Sequence, residues 1–284
     1  MKQVRLADTI KVISAFALWS MLAIFFNKVT LPVSVYVVFG SLIALTLLYL
    51  YFYFVNHRLP HFKYSPALLG IFTVAAVKGI IWYRALQIYP VAQAMLIHNL
   101  APVVALLFAP ILIKEKPHFN HFIAVITGFL GLSLLLQFNG DKNALINLGA
   151  IFALGAAFAS GLQDIFHRKL SPSVTGLEQA FIFVLGQALG SVIFLLPNLP
   201  STITWVDLSH IAIFGIFGTA IPIILLASAF KKLRSFEVAT LGYTEPALGA
   251  LWGSLFLKQP ILPSTAIGGL LIFLSGLTAI REDK

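Results

Sequence analysis

The chain runs apolar for about twenty residues, breaks at a proline or a polar cluster, and repeats this ten times, each run about the length that crosses a bilayer as a helix. The runs fall at 9–27, 32–55, 66–88, 90–113, 119–138, 147–168, 176–197, 205–230, 235–257 and 263–280, divided by breakers such as Leu31-Pro32, Tyr89-Pro90, Lys116-Pro117, Ser171-Pro172 and Gln259-Pro260. Only helices and closed barrels satisfy their backbone polar groups in hydrocarbon. Runs this long without alternation read as helices. Composition agrees: 59% of residues are hydrophobic and 10% charged, against about a quarter charged in soluble domains. The expected fold is an all-α membrane protein with ten transmembrane helices. Ten spans use roughly 200 positions, so these residues leave little for an extramembrane catalytic domain.

The net charge of +9 raises the question of nucleic acid. The basic residues, however, stand singly or in pairs between apolar runs, where a phosphate backbone demands a continuous basic surface. No nucleic-acid partner is expected. With no cysteine, disulfides, thiolate metal sites and cysteine nucleophiles are excluded. HExxH, P-loop and Gly-x-Ser-x-Gly patterns are absent too, so neither an enzyme nor an ATP-driven pump is expected, and no metal or cofactor. Lys2, Arg5 and Lys11 before the first run imitate a signal peptide, but no small-residue cleavage site follows, so this run reads as a retained helix. Placing the N-terminus in the cytoplasm puts about 14 basic residues inside, including Arg58, Lys63, Arg168, Lys231, Lys232 and Lys284. About 4 fall outside: Lys28, Arg84, Lys142 and Lys258. Both termini are therefore expected to be cytoplasmic. Lys78 falls inside a span.

The chain also repeats itself. A shift of 144 lays the segment from Ala85 onto that from Ala229, matching Pro102 with Pro246, Lys114 with Lys258 and Glu115 with Gln259; a shift of 140 lays Ser20 on Ser160. This divides the chain into a first five-helix unit at 1–138, a linker at 139–146 and a second unit at 147–284. Five is odd, so the second unit runs through the membrane in the opposite sense, an inverted repeat. Charge placement fits: Lys231, Lys232 and Arg234 match Gln87, Ile88 and Pro90 on the other face.

Leu18 to Ser20 with Lys28, RALQIYPVAQA at the third junction, LAPVVALLFAPILIKEKP, TEPALGALWGSLFLKQP and IGGLLIFLSGL, in this order and spacing, resemble the drug/metabolite transporter superfamily, and within it the EamA-type bacterial permeases. The resemblance covers nearly the whole chain. It implies a multi-pass protein of the bacterial cytoplasmic (inner) membrane that moves a small organic metabolite by alternating access, without a cofactor. In that family the fourth and ninth helices usually end in Gly-Glu. Here they end in Lys114-Glu115 and Lys258-Gln259, so the second unit lacks its acid.

Ionisable groups at mid-membrane cost at least about 2.5 kcal/mol and need a partner or a wet cavity. Lys78 and Glu245 each fall about 15 to 18 Å from the same face, so an ion pair, or a solute shared between them, is allowed. Glu245 either lines the path or caps a helix end. Trp82 follows Lys78 by one turn and adds an aromatic wall. His98 and Asn99 stand opposite Gly242 and Tyr243 in the repeat. His98 is either a proton-linked switch or a packed, hydrogen-bonded residue, and Asn99 and Tyr243 offer neutral hydrogen bonds to solute. Trp19 and Trp252 are deep aromatics that either pack or line the cavity. Gln187, between Gly186 and Gly190, marks a close helix contact with access to the cavity. Gln163 and Asp164 form a candidate gate, with an Asp164–Arg168 pair at i, i+4 as the bland alternative.

A cavity with a cation, an anion and aromatic walls suits a zwitterion, an amino acid or its derivative. Proton-coupled export of organic cations and transport of a nucleoside-like metabolite are the competing expectations. A scaffold or membrane enzyme is disfavoured because the polar residues lie at mid-depth.

Overall fold

Several helices start where a side chain can serve their unpaired N–H groups. Ser65 Oγ accepts from Leu68 N at 3.2 Å ahead of Pro66, and Asn147 Oδ1 accepts from Gly149 N at 2.9 Å. Thr175 with Glu178 and Thr204 with Asp207 form reciprocal capping boxes. A computed structural model describes residues 2–26, 29–57, 59–60, 62, 65–137 and 147–281. The linker at 139–146, Phe138, and the charges of Lys28, Arg58, Lys63, Lys142 and Lys284 lie outside the described residues.

Among the described residues the chain is all-helical, without strands. The elements are α1 (Lys2–Ser20), α2 (Leu22–Phe26), α3 (Val33–Phe54), α4 (Pro66–Ile88), α5 (Val91–His98), α6 (Ala101–Leu112) and α7 (Phe119–Leu135). They continue with α8 (Leu148–Leu170), α9 (Gly176–Leu195), α10 (Trp205–Ile213), α11 (Ile221–Ala229), α12 (Ser235–Leu241), α13 (Thr244–Leu257) and α14 (Pro263–Ala279). A π-helical segment, Phe214–Ala220, joins α10 to α11. Six runs are long and apolar enough to cross a membrane: Val33–Phe54, Pro66–Ile88, Gln93–Leu112, Leu148–Leu170, Gly176–Asn198 and Trp205–Ala229; α7 and α14 are apolar but shorter. The runs expected at 9–27 and 235–257 are each divided in two, at Met21 and at Gly242–Tyr243. The run at 90–113 divides likewise at Asn99–Leu100.

Large apolar side chains face outward, Ile111 at 73%, Ile151 at 65% and Phe273 at 61% exposure. Such a surface suits lipid and would be an aggregation hazard in water. Inside, α7 packs along α14, α4 against α8 and α9, α3 against α9 and the π segment, and α1 against α11 and α13. Small residues permit the closest approaches. A Cβ on Gly190 of α9 would lie 2.6 Å from Ala76 Cα of α4, so the small-residue contact expected around Gln187 is present. At the ends of α6 and α13, Lys114 (φ 58°) and Lys258 (φ 55°) adopt the left-handed conformation that favours glycine. These are the two repeat-matched positions where the resembled family carries Gly. Beyond the second, Gln259 N–H returns to the Gly253 carbonyl at 3.2 Å.

Replacing Gly190 with Leu forces α9 off the α4 backbone and is expected to destabilise the fold by about 3 kcal/mol, read as lost monodispersity in detergent. Gly269→Ala, with no neighbouring atom within 4 Å, should be tolerated. Lys258→Gly is expected to stabilise by about 1 kcal/mol by relieving the left-handed strain, read as a raised melting midpoint.

Candidate functional site

Ser160, Gln163, Asp164 and His167 recur at i, i+3, i+4 and i+7, so they share one face of α8, and each is no more than 9% exposed. An apolar helix can bury such a stripe only against polar groups from its neighbours. Three members find them. His98, the last residue of α5, holds Nε2 2.9 Å from Ser160 Oγ. Lys78 of α4 donates from Nζ to Gln163 Oε1 at 3.0 Å and lies 5.9 Å from the centre of the Phe183 ring. His167 Nδ1 is 2.9 Å from Gln179 Oε1 of α9, and the His167 ring stacks on Phe230.

Asp164 is the fourth member, and no described residue hydrogen-bonds it. Its carboxylate and that of Glu245 both lie within the electrostatic reach of Lys78. The direct Lys78–Glu245 ion pair allowed by depth is not formed; Lys78 turns to Gln163 instead. Trp82, one turn beyond Lys78, sets its ring 4.5 Å from that of His98. The structure thus assembles Lys78, Trp82, His98, Gln163, Asp164 and Glu245.

The assembly sits where two helices are interrupted. Three residues past Asn99 comes Pro102, and three past Tyr243 comes Pro246. A proline supplies no N–H to the carbonyl four residues back, which would be that of His98 in one case and Gly242 in the other. The Gly242 carbonyl is taken instead by Glu245 N at 3.0 Å. Glu245 stands in the first turn of α13, where the helix dipole favours an anion.

Other expected residues lie elsewhere. Tyr243 is fully buried among Leu96, Leu132 and Ile272, packed toward α7 and α14, because its position at the break turns the ring away from α8. Asn99 spends its amide on its own helix, donating to the Met95 carbonyl at 2.8 Å. Trp19 Nε1 donates to the Gly218 carbonyl at 3.0 Å, the acceptor that Pro222 leaves without a helical donor. Trp252 Nε1 donates to Ser20 Oγ at 2.9 Å, and Gln187 Nε2 to Ser41 Oγ at 3.3 Å.

The Asp164–Arg168 pair is also absent. Arg168 Nε donates to Glu115 Oε1 at 2.6 Å and Nη1 to the Phe230 carbonyl at 2.6 Å. The second Glu115 oxygen accepts from Ser235 N at 3.1 Å and Ser235 Oγ at 2.9 Å, capping α12. A charged guanidinium prefers a carboxylate that the turn at Lys114 projects toward it. Beside it, Glu237 is 1% exposed and pairs with Arg5 at 2.5 Å and with His121 at 3.7 Å, while Arg234 N donates to its other oxygen at 2.8 Å. This end of the bundle is therefore bolted by two carboxylates. Sequence reasoning singled out neither cluster, since their members lie far apart in the chain. Of the α8 stripe, sequence reasoning singled out Gln163 and Asp164 as a gate and did not join Ser160 or His167 to them, although their helical spacing is the signal that would have done so.

A broken helix pair enclosing buried charge is the arrangement of a membrane transporter. The EamA-like transporter family model matches residues 9–137 and 147–280. The chain belongs to this family. Among its relatives, the threonine/homoserine exporter RhtA of Escherichia coli (strain K12) is 26% identical over 81% of this chain and 75% of that protein. The pseudopaline exporter CntI of Pseudomonas aeruginosa (strain UCBPP-PA14) is 24% identical over 90% and 88%. The S-adenosylmethionine uptake transporter of Rickettsia bellii is 24% identical over 72% and 68%. A solved crystal structure shares the fold, with a TM-score of 0.84 at 19% identity over 97% of each chain. The family and these relatives are transporters, not enzymes, so the chain is a multi-pass membrane protein of a small-molecule transporter family.

Glu115→Gln is expected to lower the melting midpoint measurably, since hydrogen bonds to a charged group contribute about 1.5 to 3 kcal/mol. Lys116→Gln, whose exposed side chain takes no part in the cluster, should leave it unchanged.

Proposed function

We propose that the protein is a secondary transporter of an amino acid or amino-acid derivative, working by alternating access around the Lys78–Asp164–Glu245 cluster. The observation that carries this reading is one half-buried ammonium held within electrostatic reach of two carboxylates beside paired helix breaks. Lys78 receives the solute carboxylate, and Glu245 its ammonium. Two of the relatives named above carry solutes built on an α-amino acid, which supports the class.

Ten spans in two inverted five-helix halves, both termini in the cytoplasm, complete the proposal. Its support is a set of repeat-matched contacts. Ser20 and Ser160, 140 residues apart, each meet an aromatic ring nitrogen from the broken helix of the other half, Trp252 and His98. The breaks at Asn99 and Tyr243 are 144 residues apart. The two bolting carboxylates share that relation with neutral amides: Glu115 with Gln259 and Glu237 with Gln93. Both bridges join the halves at the end bearing the N-terminus, so this conformation is closed there.

Lys78→Ala and Glu245→Gln are each expected to reduce uptake of a transported amino acid into proteoliposomes at least tenfold with protein yield retained. Normal transport by both variants would sink the assignment of the site.

A further inference from the structure

The charges around Lys78 do not balance, and the imbalance specifies the solute more narrowly. Lys78 is engaged by Gln163 and the Phe183 ring. An ammonium has three donors, so two remain for a solute carboxylate. On the other side stand two carboxylates, Asp164 and Glu245, and neither accepts a hydrogen bond from any described residue. Asp164 is 9% exposed on a helix whose other stripe members, Ser160, Gln163 and His167, each have a side-chain partner on a neighbouring helix. The remaining titratable groups facing this space are His98 of α5 and His167 of α8, and each has a ring nitrogen committed to a neutral partner, Ser160 and Gln179. One basic side chain thus faces two acidic ones in a partly buried site, where a charge left without a counter-charge is costly.

We propose that the preferred solute is a dibasic amino acid, one carboxylate with two cationic groups, whose α-ammonium and second cation occupy Glu245 and Asp164 while its carboxylate meets Lys78. A net charge of +1 on the solute neutralises the site. A neutral amino acid leaves one carboxylate unpaired. Asp164 is then a specificity-determining residue and not a gate. This rests on the amino-acid reading above and goes beyond it in naming which amino acids the site selects.

The test is competition binding and proteoliposome uptake with L-lysine and L-ornithine against L-threonine and L-leucine, using purified full-length wild type, Asp164→Asn and Glu245→Gln. Wild type should favour the dibasic pair at least tenfold. Asp164→Asn, which makes the site neutral, should reduce that ratio tenfold or more by raising relative affinity for the neutral pair. Glu245→Gln, on another helix, should move the ratio the same way and serves where Asp164→Asn does not fold. Asp164→Glu should restore the dibasic preference. Wild type that handles threonine as well as lysine, or a ratio unmoved in both neutralised variants, overturns this inference and leaves amino-acid transport standing. Wild type that takes none of the four overturns both.

Discussion

In hydrocarbon no water answers a broken backbone hydrogen bond or a bare charge, so every departure from continuous helix must be met from within the protein. This chain departs at Met21, at Asn99–Leu100, at Gly242–Tyr243 and in the π-helical segment Phe214–Ala220, and the last three of these precede a proline: Pro102, Pro246 or Pro222. The answers are specific. Trp19 donates to the Gly218 carbonyl, and Glu245 N to that of Gly242. Two of the breaks flank the buried charges, so the places where backbone regularity is surrendered are also the places where polar groups can reach the interior.

The site depends on how closely α8 can be approached. Ala153, Ala156, Ala157 and Gly161 are buried along it, and a Cβ on Gly161 would lie 2.7 Å from the Val104 Cβ of α6. Small residues let backbones come near without strain. Short side chains such as Ser160 then meet a partner on a neighbouring helix directly, as it does with His98. Packing and polar chemistry are the same arrangement seen twice: a bulkier α8 would hold Lys78 and His98 out of reach of Gln163 and Ser160.

Much of this was legible from residue order. The apolar runs foretold an all-helical fold, the 144-residue shift aligned Asn99 with Tyr243 without foretelling that both helices break there, and Lys78 and Glu245 stood out because topology gave them no task. What was not legible was partner choice. Arg168 has a carboxylate one turn away in Asp164, and local spacing favours that pair, yet it binds Glu115 across 53 positions of sequence. The left-handed residue Lys114 delivers Glu115 there, and no helical periodicity encodes that reach. Tyr243 illustrates the same limit at one residue's resolution. Its place at the break puts it into the packing with Leu132 and Ile272.

The choice made by Arg168 also links the buried site to the end of the bundle. Because Arg168 turns to Glu115, Asp164 is left unpaired beside Lys78; had the local pair formed, the site would have lost a carboxylate and the bundle end a bolt. One helix, α8, therefore carries both the stripe that faces the charge cluster and, one turn on from Asp164, the arginine that holds this end shut. Arg168, Gln163 and Asp164 lie within two turns of one helix, so they keep their mutual placement wherever α8 sits. The ion pair at this end and the groups that face Lys78 are thus carried one turn apart on a single helix.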